Sequence, residues 1–170
     1  MPINVFISVG RPHTAAQQAF VAALEANLAA RDLRPRTVGR TDFTHGAPLK
    51  LVDKLMGRCA GTIVVALERV AFESGIDRPG SAEPKRLANI VLATPWNQIE
   101  AAFSYARGLP LLVIKDAKVQ GDGLLEKGYD WYVHSTPIHT DFFDTPDFQG
   151  TFKSWHRDVR KRAGWMGCRN

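Results

Sequence analysis

Gly61-Thr-Ile-Val-Val-Ala-Leu67 is an almost unbroken apolar run, opened by a glycine and closed by Glu68-Arg69. A strand without polar alternation is buried on both faces, as in a parallel sheet covered by helices. The same grammar holds upstream. Ile3-Asn-Val-Phe-Ile-Ser8 reads as a buried strand that stops at Gly10-Arg11-Pro12. Thr14-Ala-Ala-Gln17 has the spacing of a capping box, with Phe20, Val21, Leu24 and Leu28 at helical intervals behind it, to about Arg31. A short strand is expected over Pro35–Val38, then a polar loop from Gly39 to Gly46. Pro48 opens a second helix with Leu49, Val52, Leu55 and Met56 on its face.

Downstream, Thr94-Pro95 supplies an N-cap and a first helical residue. The helix there is expected to turn Ile99, Ala102, Phe103 and Ala106 inward, end at Gly108 and lead into the strand Leu109–Ile114. Glu68 to Ala93, with Pro79-Gly80 and Pro84, reads as a long functional or partly disordered connection holding a short strand at Ile90-Val-Leu92. After Asp116 the pattern loosens. Tyr129, Trp131, Tyr132, Phe142, Phe143 and Phe148 crowd together as a lid or a second packing layer. A last helix, about Gly150 to Ala163, sets Phe152, Trp155 and Val159 against Arg157 and Lys161. The expected fold is an α/β doubly wound, mainly parallel, flavodoxin-like sheet with helices on both faces. It forms one domain over residues 1–170, with a core at about 3–116.

Composition narrows the function classes. The chain has 170 residues, 45% hydrophobic and 23% charged, the range of a soluble globular domain. No apolar run approaches the roughly 18–20 residues of a membrane span, and Met1-Pro-Ile-Asn4 lacks a signal-peptide layout. A cytoplasmic location is therefore expected. Cys59 and Cys168 read as ordinary reduced thiols, and His134, His139 and His156 show no metal-ligand spacing, so no metal is expected. The net charge of +5 is carried by residues 151–170, while the preceding 150 residues are neutral. A nucleic-acid role is therefore not expected, except through that basic final helix, which otherwise reads as a solvated face anchored by Trp155.

Ligands of open parallel sheets bind beyond the carboxyl ends of the strands, at the switch in strand order. That rule selects Ser8 to His13, Thr41 to Gly46, Glu68 onward, and the helix start bearing Trp96, Asn97 and Glu100. Ser8, Gly10 and Arg11 offer a hydroxyl, a close-approach backbone and a cation for phosphate or ribose. Asp42 and His45 are candidates for ribose hydroxyls, although His13 and His45 also fit solvated loop positions. Trp96 fits a stacking platform or a loop staple. Glu100 fits a ligand-facing carboxylate or the far end of an Asn97-Gln-Ile-Glu100 capping box. No Gly-x-x-x-x-Gly-Lys loop and no full Gly-x-Gly-x-x-Gly fingerprint occurs, which removes most support for ATP hydrolysis and dinucleotide oxidoreduction.

The stretch Thr94-Pro-Trp-Asn-Gln-Ile-Glu100-Ala-Ala-Phe-Ser-Tyr-Ala106, followed by Gly108-Leu-Pro-Leu-Leu-Val-Ile114, resembles two related groups: TIR-domain NAD glycohydrolases and nucleoside 2-deoxyribosyltransferases. Val5-Phe-Ile-Ser8, Phe20–Leu28, Gly46–Asp53 and Gly61–Ala66 are similar to the opening strands and helices of a TIR domain. The resemblance covers about residues 3–116. Residues 68–93 are longer than the usual TIR connection, and 117–170 match neither group. It implies that Glu100 is the catalytic glutamate with Trp96 beside it, and that Phe6, Ser8 and Arg11 border the nucleotide. It also implies a homo-oligomer, an activating partner or small signal, a bacterial immune role, and NAD as a substrate with no resident cofactor.

A lone carboxylate suits that chemistry. Cleavage at ribose C1′ builds oxocarbenium charge, which a carboxylate stabilises or captures. Nicotinamide leaves NAD without being protonated, whereas an ordinary nucleobase needs a second acid such as Asp42 or Asp77. The rival readings are a nucleoside 2-deoxyribosyltransferase and a non-catalytic module that binds a nucleotide signal or a protein.

Overall fold

The computed structural model describes residues 2–167. Cys168 and Arg169, which entered the reading of thiols and charge, lie outside the described residues. Seven strands and four helices follow in the order β1 (Ile3–Val9), α1 (Ala15–Ala29), β2 (Leu33–Arg36), α2 (Pro48–Met56), β3 (Thr62–Ala66), β4 (Val70–Asp77), β5 (Lys85–Leu92), α3 (Pro95–Ala106), β6 (Leu111–Asp116), β7 (Tyr132–Thr136) and α4 (Pro146–Gly167). Five strands form one parallel sheet in the order β2-β1-β3-β6-β7. Taken in chain order within that sheet, this is the 2-1-3-4-5 arrangement of the flavodoxin-like fold, with its switch point between β1 and β3.

The pleat sorts the sheet's side chains into two cores. Val5 and Ile7, Ile63 and Val65, and Leu112 and Ile114 face α1 and α4, where Phe20, Leu24, Phe152 and Val159 close over them. Phe6 packs against α2 with Val52, Leu55 and Met56, while Val64, Ala66 and Val113 face Ala101 of α3. Since β3 contributes buried residues at all five positions, its continuous apolar run is explained by burial from both sides.

The expected first helix is present, and the Thr14 side chain accepts from the Gln17 amide at 3.1 Å. The other half of the capping box is redirected. Gln17 Oε1 accepts from the His13 amide, and Gln17 Nε2 donates to the Glu68 carbonyl, tying the start of α1 to the end of β3. Leu49 is exposed and Leu51 takes its place against the core, a small rotation of α2. Cys59 lies past the end of α2, buried and free, its thiol pushed up to about 12 by burial.

Two expectations are corrected, and one pair of alternatives is decided. Residues 68–93 are an antiparallel hairpin, β4 with β5 from Val70↔Leu92 to Asp77↔Lys85. Seven of the eight β4 residues are exposed, so no core demanded the alternation that announces a strand. Residues 117–167 belong to the core, because β7 completes the sheet and α4 covers it. Of the two readings of the aromatic cluster, the phenylalanines follow the packing layer and not the lid: Phe142, Phe143 and Phe148 are buried against Phe20, with the Phe20 and Phe143 rings 4.6 Å apart. Within this cluster His134 on β7 sits 2.7 Å from Thr151 Oγ1 and 3.1 Å from an Asp147 oxygen, joining β7 to α4.

Helix α4 lies close against the lower end of β3. Trp155 Nε1 donates to the Pro110 carbonyl at 3.0 Å, and Arg162 donates to the carbonyls of Gly108 and Arg107. At Gly61 a Cβ would stand 2.5 Å from Val159 and 3.1 Å from Trp155, which explains a glycine at the head of so regular a strand. Gly61→Ala is expected to destabilise the protein by about 1–3 kcal/mol through overpacking, read as a lower urea midpoint at unchanged slope.

Candidate functional site

Helix α3 carries the site, and it turns an unexpected face to the sheet. Asn97, Glu100, Ala101 and Ser104 are buried, whereas Ile99, Ala102 and Ala106 are exposed and Phe103 is half-buried. The inner face is therefore nearly half a turn away from the expected apolar stripe. Small and polar residues occupy the inner face because the helix is seated by hydrogen bonds. Asn97 Nδ2 donates to Ser8 Oγ at 3.0 Å and to the Ser8 carbonyl at 3.2 Å, with the Val65 carbonyl at 3.5 Å. These acceptors are the carboxyl ends of β1 and β3, the two strands that flank the switch point.

Thr94, not Asn97, caps this helix, since its side chain accepts from the Trp96 amide at 3.4 Å. Glu100 is therefore released from the capping-box role and sits one turn further in. It is only 7% exposed, yet it lines a cavity of about 230 Å³ with Val9, Gly10, Arg11, Val38, Pro48, Val52, Thr94 and Trp96. Burial pushes its carboxyl up to about 7, opposed by a hydrogen bond from Ser8 that favours the charged form. Because Ser8 Oγ accepts from Asn97, its own proton is directed to Glu100. No cation contributes to holding Glu100 ionised.

The structure brings together Gly10, Arg11, Trp96 and Glu100 along this cavity, with Ser8 and Asn97 completely buried beneath it. Phe6 is fully buried under α2 and does not reach the cavity. Asp42 turns toward Arg36, which binds it through both carboxylate oxygens, and Thr41 Oγ1 donates to it at 2.8 Å. The Arg36 guanidinium holds its carboxyl below the usual range. His45 is exposed and stands apart from the cavity wall. Asp42 and His45 thus do not line this cavity, and Phe6 lies in the core beside it.

Val38, Pro48 and Val52, which the sequence marked only as a strand end, a helix start and a helix face, form an aliphatic wall of the cavity. Arg69 was also missed as an individual residue, although the segment after β3 was marked as ligand-facing. It lines a smaller cavity of about 100 Å³ with Gly10, Arg11, Leu67, Glu68 and Thr94. The two cavities share Gly10, Arg11 and Thr94 and so adjoin. A Cβ at Gly10 would stand 3.3 Å from Thr94 Cγ2, a tight contact that the glycine avoids at that junction.

No family model and no curated protein matches this chain. The site must then be read from its own chemistry. Among the described residues no group of three His, Cys, Asp or Glu side chains is arranged to hold a metal ion, and no helix is long and apolar enough to cross a membrane. What the cavity offers is one desolvated carboxylate, an aromatic ring 40% exposed, an aliphatic wall and two arginines that make no ion pair among the described residues.

The buried carboxyl leaves a signature in stability. Below the ordinary value of 4.5 both folded and unfolded chains hold the proton; between 4.5 and about 7 only the folded chain does. Stability therefore falls as pH rises through that window, and the loss is complete above it. Glu100→Gln removes the charge, so the variant is expected to be more stable than the parent by about 2–3 kcal/mol near pH 8 and equal to it near pH 4. Urea unfolding of both proteins across this range checks it.

Proposed function

We propose that this protein cleaves, or transfers the ribosyl group at, the N-glycosidic bond of NAD or a related nucleotide. The observation that carries the reading is Glu100: a nearly buried carboxylate, free of any paired cation, that faces a cavity at the switch point. In such a site a negative charge acts strongly on positive charge developing nearby, because little water screens it. As the bond from C1′ to the pyridinium nitrogen breaks, its electrons pass to the ring. Nicotinamide leaves neutral, and the ribosyl unit becomes cationic beside Glu100. The carboxylate then stabilises that cation or bonds to C1′ until water or another acceptor arrives.

The exposed ring of Trp96 offers a face for the cationic pyridinium before it leaves. Arg11 and Arg69 supply positive charge for phosphate in the adjoining cavity. Both features favour a charged nucleotide over a neutral deoxynucleoside. A nucleobase would also need a proton, and the acids considered for that task are badly placed. Asp42 is bound to Arg36, and Asp77 lies at the far end of β4, paired opposite Lys85. Among the described residues no second Asp or Glu lines the cavity at Glu100. With this reading come a homo-oligomer and a triggering partner or small signal, as the TIR resemblance implies.

Incubation with NAD, and separately with deoxynucleosides plus free base, tests the proposal by product analysis. Nicotinamide release is expected, falling by about a hundredfold to a thousandfold in Glu100→Gln. The rate should rise with pH through about 7 as Glu100 ionises. Full activity in Glu100→Gln overturns the proposal, base exchange without NAD cleavage transfers it to deoxynucleosides, and binding without turnover reduces the protein to a nucleotide-binding module.

A further inference from the structure

Helix α4 divides its surface sharply. Phe148, Phe152, Trp155 and Val159 close the core, and the side turned away from them carries cations. Lys153, Arg157, Arg160 and Lys161 are all exposed and line a shallow concavity of about 770 Å³ with Gly150 and His156. Arg31, past the end of α1, adds to this charge. It donates to Gln149 Oε1, and its guanidinium stands 5.0 Å over the Phe152 ring. Burial, with the charges of Arg160 and Arg31 behind it, holds the His156 ring below its ordinary range. Cations from two helices therefore converge on one place. Among the described residues Asp158 is the one acid within reach of the α4 row, 3.7 Å from both Arg157 and Lys161. Exposed pairs of that length contribute little and open readily. Asp147, the acid of the first turn, is engaged by His134 and Tyr132 on the β7 side.

The arrangement has a direction. Lys153, Arg157, Lys161 and Trp165 follow one another at intervals of four residues, a single ridge about 18 Å long. Trp165 is 76% exposed, more than any other large hydrophobic side chain described. A line of cations ending on an open aromatic face matches a strand of phosphates whose unpaired bases stack. Other polyanions fit less well. A membrane-surface helix needs an apolar face to insert, and that of α4 is committed to the core. The centre of a protein interface is depleted in lysine and rich in apolar contact, whereas the centre of this face is charge. A duplex keeps its bases stacked on one another and leaves Trp165 without a partner.

We propose that the outer face of α4 binds single-stranded nucleic acid, with phosphates at Lys153, Arg157, Arg160 and Lys161 and a base stacked on Trp165. The charge distribution agrees, since residues 151–170 carry the whole net charge of +5. Binding through backbone and stacking tolerates any sequence and weakens steeply with salt. The face lies on a different element from Glu100, and the inference does not depend on the glycosidic reading.

The test is fluorescence anisotropy of a labelled oligothymidylate of about twelve nucleotides, within the range of single-strand sites, titrated with the full chain. Binding is expected to fall with salt along a log–log slope of about −2 to −3, as for three or four phosphates. Arg157→Gln combined with Lys161→Gln is expected to weaken binding at least about tenfold at low salt and to flatten the slope by about 1.4. Trp165→Ala is expected to weaken binding about fivefold or more, one base's stacking, at unchanged slope. All three positions are exposed, and glutamine is a good helix former, so the fold is retained. Lys85→Gln combined with Arg86→Gln removes the same charge from exposed positions of β5 and is expected to bind as the parent does. No binding overturns the proposal, as does binding that the α4 double variant leaves unaltered. Equal affinity for a duplex of the same length or for polyglutamate, with Trp165→Ala without effect, also overturns it. So does binding to phosphatidylserine vesicles without binding to the oligonucleotide.

Discussion

The amide of Asn97 holds the molecule's chemistry in place. Its two hydrogens are directed at the backbone and hydroxyl of Ser8 and toward the end of β3, all inside the protein. Unmet polar groups in such a place cost about 1–3 kcal/mol each, so the pairing is enforced in both directions. The strand ends gain a donor where the ladder runs out, and α3 gains a fixed rotation about its axis. From that rotation follow the inward direction of Glu100, the outward tilt of Trp96 and the use of Ala101 and Ser104 as a thin inner face.

This seat also explains how a charge is kept out of water without a counter-ion. Glu100 has only a hydroxyl to favour its ionised form, and Asn97 sets the direction of that hydroxyl. Desolvation wins over the single hydrogen bond, which is why the carboxyl is pushed up rather than down. Elsewhere the chain behaves conventionally, with Asp42 against Arg36, Asp53 against Arg107 and Glu25 against Arg40. A domain that pairs these acids and leaves its most buried glutamate unpaired stores unfavourable free energy at one spot, as sites built for reaction do.

The hairpin and the last fifty residues extend the basic sheet in different ways. Strands β4 and β5 rise from the same strand end that supplies Arg69 and return directly to the cap of α3, so the hairpin's base forms part of the crevice. Residues from β7 onward complete the opposite core. Phe148, Phe152 and Val159 cover β3 and β6 as α1 covers β1, and Pro137-Ile138 prolongs the ligand edge by another strand.

Much of this was legible in the residues themselves. A strand buried on both faces must be apolar throughout, so Thr62–Leu67 announced a covered parallel sheet, and the caps at Thr14 and Thr94 marked helix starts by short-range hydrogen bonding that needs no tertiary partner. The topological rule then located Gly10, Arg11, Trp96 and Glu100. Only the tertiary structure decided which side of α3 faces inward, because a hydrogen bond between residues 89 positions apart outweighed the preference of Ile99 for burial. It likewise decided that Asp42 is occupied by Arg36, that Arg69 turns into the crevice, and that an exposed hairpin without amphipathic alternation is a hairpin at all. Local chemistry writes caps and continuous strands into the chain; the direction of a side chain is set by partners distant in sequence.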